Sequence, residues 1–179
     1  MKKRVLALTL GMMMTAFALT GCSSDADNKS GENNTKESEN TSVNETSGYV
    51  FTYNDIKIGV DMDFAPILEK LGEPLSYFEA ESCAAQGIGK TYTYSDFVID
   101  TYPDGDRDLI LCITLKTDNV ATEEGIDLSM TKDDVTAKYG EPTEETDIAI
   151  GYKKDGMRIN FIFEGDTMIS IQYDSSLNL

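Results

Sequence analysis

The feature that most constrains the fold of this chain is an 18-residue segment that occurs twice. Lys57–Pro74 aligns without gaps on Gly125–Pro142, and the identical positions are Ile58/Ile126, Met62/Met130, Lys70/Lys138, Gly72/Gly140, Glu73/Glu141 and Pro74/Pro142. A segment that is repeated in sequence is expected to build the same structural unit twice. We therefore expect two tandem repeats, one over residues 49–118 and one over residues 119–179.

Each repeat is predicted to open with one short helix. Asp63 and Thr131 precede the two helical patterns and are good N-cap residues. Gly72 and Gly140 follow the patterns and can adopt the positive φ of a helix C-terminus. A proline two residues further on prevents each helix from continuing.

Strands are predicted after each helix, because the segments that follow are rich in β-branched and aromatic residues. They are Lys90–Ser95, Phe97–Tyr102 and Leu109–Lys116 in the first repeat, and Ile148–Lys153, Met157–Phe163 and Met168–Asp174 in the second. Gly-Asp turns between them predict antiparallel hairpins. The fold class is therefore α+β, in which each short helix packs on an antiparallel meander.

A period of two divides the side chains of each meander between two faces. One face is apolar and is expected to lie under the helix; it carries Phe97, Ile99, Leu111, Ile113 and Leu115 in the first repeat and Ile159, Phe161, Phe163, Ile169 and Ile171 in the second. The opposite face is half-polar and is expected to stay open. Its candidate protein-binding residues are Tyr102, Asp100, Arg158, Asn160 and Gln172. Tyr102 is the expected anchor, since tyrosine is common in interfaces, although an incidental surface tyrosine is the alternative.

The first repeat is longer than the second by about ten residues, which fall around Ser76–Gly87 and include an extra predicted strand, Tyr77–Cys83. Cys83 and Cys112 are the two cysteines outside the N-terminal segment. In an oxidising compartment they are expected to form a disulfide across the open side of the sheet, and two free thiols are the alternative.

These residues carry a resemblance to known families. In each repeat a capped helix ends in Leu-Gly-Glu-Pro or Tyr-Gly-Glu-Pro and is followed by an antiparallel meander. This unit, present twice, resembles the tandem unit of the β-lactamase inhibitor protein (BLIP) family. It is also similar to small lipoproteins of the SmpA/OmlA (BamE) type and to lipoproteins of Gram-positive anaerobes. The resemblance implies a sheet whose exposed face binds another protein. No residues that would block a β-lactamase active site are identified.

The N-terminus has the layout of a bacterial export signal. Lys2, Lys3 and Arg4 precede an apolar run, and Leu19-Thr20-Gly21-Cys22 resembles the lipobox of lipoproteins. We expect residues 1–21 to be the signal peptide, Cys22 to be lipidated, and the polar residues 22–48 to be a disordered tether. The protein would then lie on the extracytoplasmic side of the cell membrane; an ordinary secreted protein is the alternative.

Composition narrows the range of functions. The chain has a net charge of −17, or −20 without the three basic residues of the first 21. Such a charge disfavours nucleic acid and anionic membranes, so the lipid would be the one membrane contact. The absence of histidine excludes Ser-His-Asp and Cys-His sites. No cofactor is expected, and no metal either: Asp104–Asp108 matches a fragment of a calcium loop and is better explained as a polar hairpin tip.

These observations predict a monomeric, non-enzymatic lipoprotein that binds an envelope or wall protein through the open face of its sheet. Two alternatives remain at this point. One is a sensor lipoprotein that binds a small molecule or an ion in a cleft between the repeats. The other is an enzyme inhibitor of the β-lactamase-inhibitor type. An enzyme that uses paired carboxylates ranks third.

Overall fold

The computed structural model describes residues 48–178. Their elements, in chain order, are β1 (Phe51–Tyr53), β2 (Ile56–Ile58), α1 (Ala65–Leu71), β3 (Ser76–Glu81), β4 (Ile88–Thr93), β5 (Phe97–Asp104), β6 (Arg107–Leu115), α2 (Lys132–Tyr139), β7 (Glu144–Glu145), β8 (Ala149–Lys154), β9 (Met157–Glu164), β10 (Thr167–Asp174) and a 3-10 turn (Ser176–Asn178). These residues form a mostly antiparallel sheet with two helices, which is compatible with the predicted α+β class. The predicted signal peptide, Cys22 and nearly all of the predicted tether lie outside the described residues.

The main sheet has eight strands in the order β3-β4-β5-β6-β10-β9-β8-β7, and each neighbouring pair is antiparallel. It consists of two four-stranded meanders, β3–β6 and β7–β10, which meet along their last strands. Four residue pairs, from Ile171↔Leu115 to Asp174↔Cys112, form this seam. The two halves of the chain therefore share one sheet.

The helix C-termini have the same geometry in both halves. Gly72 and Gly140 have φ values of 77° and 82°, as the sequence predicts. The Tyr94 hydroxyl donates to the Gly72 carbonyl at 3.2 Å, and the Tyr152 hydroxyl donates to the Gly140 carbonyl at 3.0 Å. In each half, a tyrosine on the second strand of the meander or just after it thus ties the end of the helix to the sheet.

The helix N-termini differ. Thr131 caps α2 as predicted and forms a capping box with Asp134. The prediction of Asp63 as the cap of α1 is wrong by one residue, because the N-cap is Phe64, whose side chain accepts no capping bond. The Phe64 backbone N–H donates instead to the Asp108 carbonyl of β6 at 2.9 Å, which holds this residue against the sheet. Asp63 keeps a weaker role by accepting from the Ala65 N–H at 3.1 Å.

The core lies on one face of the sheet, under both helices and the β1–β2 hairpin. This hairpin was not among the predicted elements. Its turn residues Asn54 and Asp55 have φ values of 48° and 64°, as a two-residue turn of type I′ requires. Phe51 of β1 is fully buried, with its ring 5.2 Å from that of Phe97.

Two β-bulges change which residues face the core. The pairing of β5 with β6 shifts after Asp100, so that Leu111 becomes an extra residue and Ile110 is fully buried in its place. The pairing of β9 with β10 shifts around Ile169, which is left exposed beside a buried Met168. The predicted core positions of Leu111 and Ile169 are therefore wrong, because each bulge breaks the period of two.

Candidate binding face

The face of the sheet opposite the core, here called the open face, carries two neighbouring rows of side chains. The strand register places the first row as Arg158, Asp174, Cys112, Asp100 and Thr91, and the second as Asn160, Gln172, Thr114, Val98 and Thr93. Residues that lie opposite each other on antiparallel strands point to the same side. Four of the predicted binding residues, Asp100, Arg158, Asn160 and Gln172, thus lie together on this face.

Asp174 is the centre of a hydrogen-bond network on the open face, although it is only 2% exposed. Its Oδ2 accepts from Asn160 Nδ2 at 2.7 Å and from Arg158 Nη2 at 3.3 Å, and its Oδ1 accepts from Asn178 Nδ2 at 2.8 Å. A buried carboxylate is costly unless it is paired and hydrogen-bonded, and here both conditions are met. Arg158 and Asn160 therefore have a structural role.

The charges around Arg158 neutralise each other. Arg158 Nη1 also contacts Glu144 Oε2 at 3.3 Å, and Lys153 donates to the other oxygen of the same carboxylate. These bonds, with that from Lys153 first, lower the pKa of Glu144 below its usual range. Asp100 differs, because it accepts from Thr91 Oγ1 at 2.5 Å and, within residues 48–178, forms no ion pair.

A cavity of about 370 Å³ lies beside Asp100 and opens to solvent. Its lining combines carboxylate, hydroxyl and amide groups with an apolar wall, supplied among others by Phe78, Ser82, Asp100, Cys112, Thr114 and Gln172. Phe78 is 65% exposed and lies opposite Thr91 on the edge of the open face. Lys90 also lines the cavity, but its ammonium is paired with Asp108 at 2.5 Å. The cavity therefore combines a carboxylate that forms no ion pair within residues 48–178 with an exposed aromatic ring.

The prediction of Tyr102 as an exposed anchor is wrong. Tyr102 is only 7% exposed, and its hydroxyl donates to Asp61 Oδ1 at 2.9 Å, an oxygen that also accepts from Ser175 Oγ at 2.6 Å. Burial and then this hydrogen bond raise the pKa of Tyr102 to about 12. The segment that contains Asp61 pairs with β6, since the Asp61 N–H donates to the Ile110 carbonyl at 2.7 Å. This segment covers the tyrosine.

Phe78 is an exposed aromatic residue on the open face that was not among the predicted binding residues. Its strand was predicted, but only as an insertion that would be held across the open side of the sheet by a disulfide from Cys83. The alternation of Ser76, Tyr77, Phe78 and Glu79 was the available signal, because it places Phe78 on the same side as Asp100 once the strand is paired with β4.

The predicted disulfide is absent, since Cys83 and Cys112 are both free thiols. Cys112 lies on β6 in the middle of the sheet, whereas Cys83 is exposed in the loop between β3 and β4. Both line the cavity beside Asp100, but they are not bonded to each other. Burial, and then the charge of Asp174, raise the pKa of the Cys112 thiol far above its usual range, which makes it a poor nucleophile.

No family model matches the chain, and no curated protein or solved structure matches it. Within the described part of the chain, no helix has the length and apolar character needed to cross a membrane. Between residues 48 and 178, no three Cys, Asp or Glu side chains converge as they would around a metal ion.

Proposed function

We propose that the folded part of the chain consists of two structural repeats on the tandem plan of the BLIP family. Support comes from the gapless repeat in the sequence and from the matching helix ends at Gly72 and Gly140. The tyrosine contacts to both glycines support it as well. A strand order in which two meanders meet along β6 and β10 is what two copies of one unit would produce.

We further propose that the protein is a lipoprotein, anchored through Cys22 on the extracytoplasmic side of the membrane, and that it binds another protein without catalysing a reaction. The observation that carries the binding proposal is the open face, where the exposed ring of Phe78 borders a cavity that contains the carboxylate of Asp100. The partner would be an envelope or wall protein.

The expected partner surface is basic. Residues 48–179 hold 10 basic and 26 acidic side chains, a net charge of −16, which would attract a cationic protein and speed their association. A lysine or arginine side chain of the partner would lay its aliphatic stem against Phe78 and place its charge at Asp100. An aromatic residue beside a charge that binding desolvates is a common energetic centre of interfaces.

Affinity capture from detergent-solubilised envelopes tests this proposal. The wild-type protein should retain a stoichiometric partner, and rising salt should weaken the binding because the contact is electrostatic. The double variant Phe78→Ala/Asp100→Asn should lose the partner. The double variant Ile148→Ala/Asp147→Asn should keep it, because it removes one exposed apolar side chain and one exposed carboxylate from the β7–β8 loop instead. Equal loss in both variants, or no partner at all, would refute the proposal.

A sensor lipoprotein for a small molecule is the second candidate, and the cavity beside Asp100 favours it. Its volume of about 370 Å³ falls within the range of small-molecule sites. Ligand-induced shifts in melting temperature across a metabolite panel would support this function if Asp100→Asn abolished them. Inhibition of a β-lactamase would be a narrower form of protein binding, and a direct inhibition assay tests it.

A further inference from the structure

The two edges of the eight-stranded sheet differ in their protection against pairing with another strand. The β7 edge has only two residues, Glu144 and Glu145, and both carboxylates are bound by lysines. The β3 edge has six residues, all exposed, without proline, lysine or a bulge. Natural sheets usually block long edges by such devices or by charge. The two glutamates of β3 repel an acidic strand but leave the edge open to a basic one.

The backbone groups of β3 that are free to pair can be identified from the register. The Ser82 N–H donates to the Gly87 carbonyl at 2.8 Å, and these residues lie in register with the β3–β4 pairs. Hydrogen-bonded and non-hydrogen-bonded pairs alternate along an antiparallel ladder. Ser76, Phe78 and Ala80 therefore direct their backbone groups at β4. Tyr77, Glu79 and Glu81 direct theirs away from the sheet.

The side chains of β3 define what an added strand would carry. Tyr77, Glu79 and Glu81 point to the helix side, whereas Phe78 and Ala80 point to the open face, because they lie opposite Thr91 and Gly89. Residues opposite each other in an antiparallel pair share a side. An added strand would therefore present basic side chains opposite Glu79 and Glu81, and apolar side chains opposite Phe78 and Ala80.

Charge disfavours two occupants that the chain itself could supply, a second copy and residues 23–47. A second copy would bring another folded part with a net charge of −16. The chain's own residues 23–47 hold two basic and six acidic side chains, so they also carry the same sign as Glu79 and Glu81. Like charges directly opposite each other destabilise a strand pair.

We propose that the free edge of β3 binds an extended segment of a partner protein in which basic and apolar residues alternate. The segment adds a ninth strand, and its backbone pairs with Tyr77, Glu79 and Glu81. The two sites meet at Phe78 but depend on different groups, the backbone of Tyr77, Glu79 and Glu81 here and the carboxylate of Asp100 on the open face, so Glu79→Pro and Asp100→Asn test them independently.

Peptide binding to the folded protein provides the test. The probe is a capped ten-residue peptide of alternating lysine and valine, measured by fluorescence anisotropy at low salt. Methylation of the lysine backbone nitrogens should abolish binding, because those N–H groups would face β3. Methylation of the valine nitrogens should preserve it, because those groups would face solvent. A peptide of alternating glutamate and valine should not bind.

Two substitutions separate backbone pairing from charge. Glu79→Pro removes an outward N–H and no bond to β4, and it should weaken binding about tenfold. Glu79→Thr keeps the N–H and removes the charge, so it should weaken binding about threefold. Asp100→Asn should have no effect, because Asp100 belongs to the open face.

Three outcomes would overturn the proposal. The first is equal binding of the two methylated peptides, which needs no variant and is therefore independent of whether Glu79→Pro folds. The second is the absence of any binding by the unmethylated lysine–valine peptide. The third is a dimer in light scattering that Glu79→Pro abolishes, which would assign the edge to a second copy.

Discussion

The two halves of the sheet keep the same contacts where the helix meets the sheet and differ where the sheet meets solvent. In both halves a tyrosine hydroxyl binds the carbonyl of the glycine that ends the helix. The outer strand of the first half is long, and its two glutamates form no ion pair within residues 48–178; the outer strand of the second half is short, and both of its glutamates are paired with lysines. The shared contacts maintain the architecture, and the divergent ones lie at the surfaces that we assign to binding.

The largest expected effect tests whether the two halves unfold together. Phe97→Ala in the first half and Phe161→Ala in the second each remove a fully buried ring, and each should lower the free energy of unfolding by about 3–5 kcal/mol. Because the halves share a hydrogen-bonded seam, urea unfolding followed by far-UV circular dichroism should stay a single transition in both variants. Two transitions would show that the halves are independent.

The next effect compares the two carboxylates of the first row. Asp174→Ala leaves the largely buried guanidinium of Arg158 without one of its two carboxylate partners, so it should cost about 3 kcal/mol. Asp100→Ala removes a hydrogen bond to one threonine and should cost less than about 1 kcal/mol. Urea titrations of both variants provide the measurement. Equal losses would contradict the assignment of Asp174 to structure and Asp100 to binding.

Removal of the tyrosine hydroxyls has a smaller effect and tests the equivalence of the halves. Tyr94→Phe and Tyr152→Phe should each cost about 1 kcal/mol, since each variant loses one hydrogen bond to a glycine carbonyl. The two losses should add in the double variant, because the sites share no partner. Thermal or urea unfolding of the three variants measures this. A negligible loss in one half alone would mean that its hydroxyl contact does not hold the helix.

The smallest effect is the pH dependence of the α2 cap. Hydrogen bonds from the side chain and backbone of Thr131 lower the pKa of Asp134 below its usual range. A carboxyl whose pKa is lower in the folded state stabilises that state above its unfolded pKa, near 4, and loses this contribution as pH falls through the folded value. The stability difference between wild type and Thr131→Ala should therefore shrink on acidification below about pH 4. Helix α1 has no capping box, so this comparison has no counterpart in the first half.

Local signals in the sequence predicted much of the fold. The glycines at the helix ends, Thr131 and the Gly-Asp turns act within a few residues, and the structure has them where the sequence analysis expected them. The alternation of polar and apolar residues also placed Asp100, Arg158, Asn160 and Gln172 on one face.

The errors arose where distant segments determine the outcome. Leu111 leaves the core because of a bulge, which depends on the register of the neighbouring strand. Tyr102 is buried by the segment around Asp61, which lies 41 residues away in the sequence. The missing disulfide reflects the path of the loop between β3 and β4, which leaves Cys83 exposed while Cys112 is buried on β6. The periodicity and the composition of a segment do not show which distant segments it will contact.

The seam between β6 and β10 has a consequence for selectivity. Four consecutive residue pairs hold the two meanders edge to edge. The two halves are therefore not joined by a hinge, so they should not close around a bound molecule as hinged domains do. A partner would then bind to a surface that is already formed in the free protein. Substitutions in that surface should therefore change the dissociation rate of a complex more than its association rate.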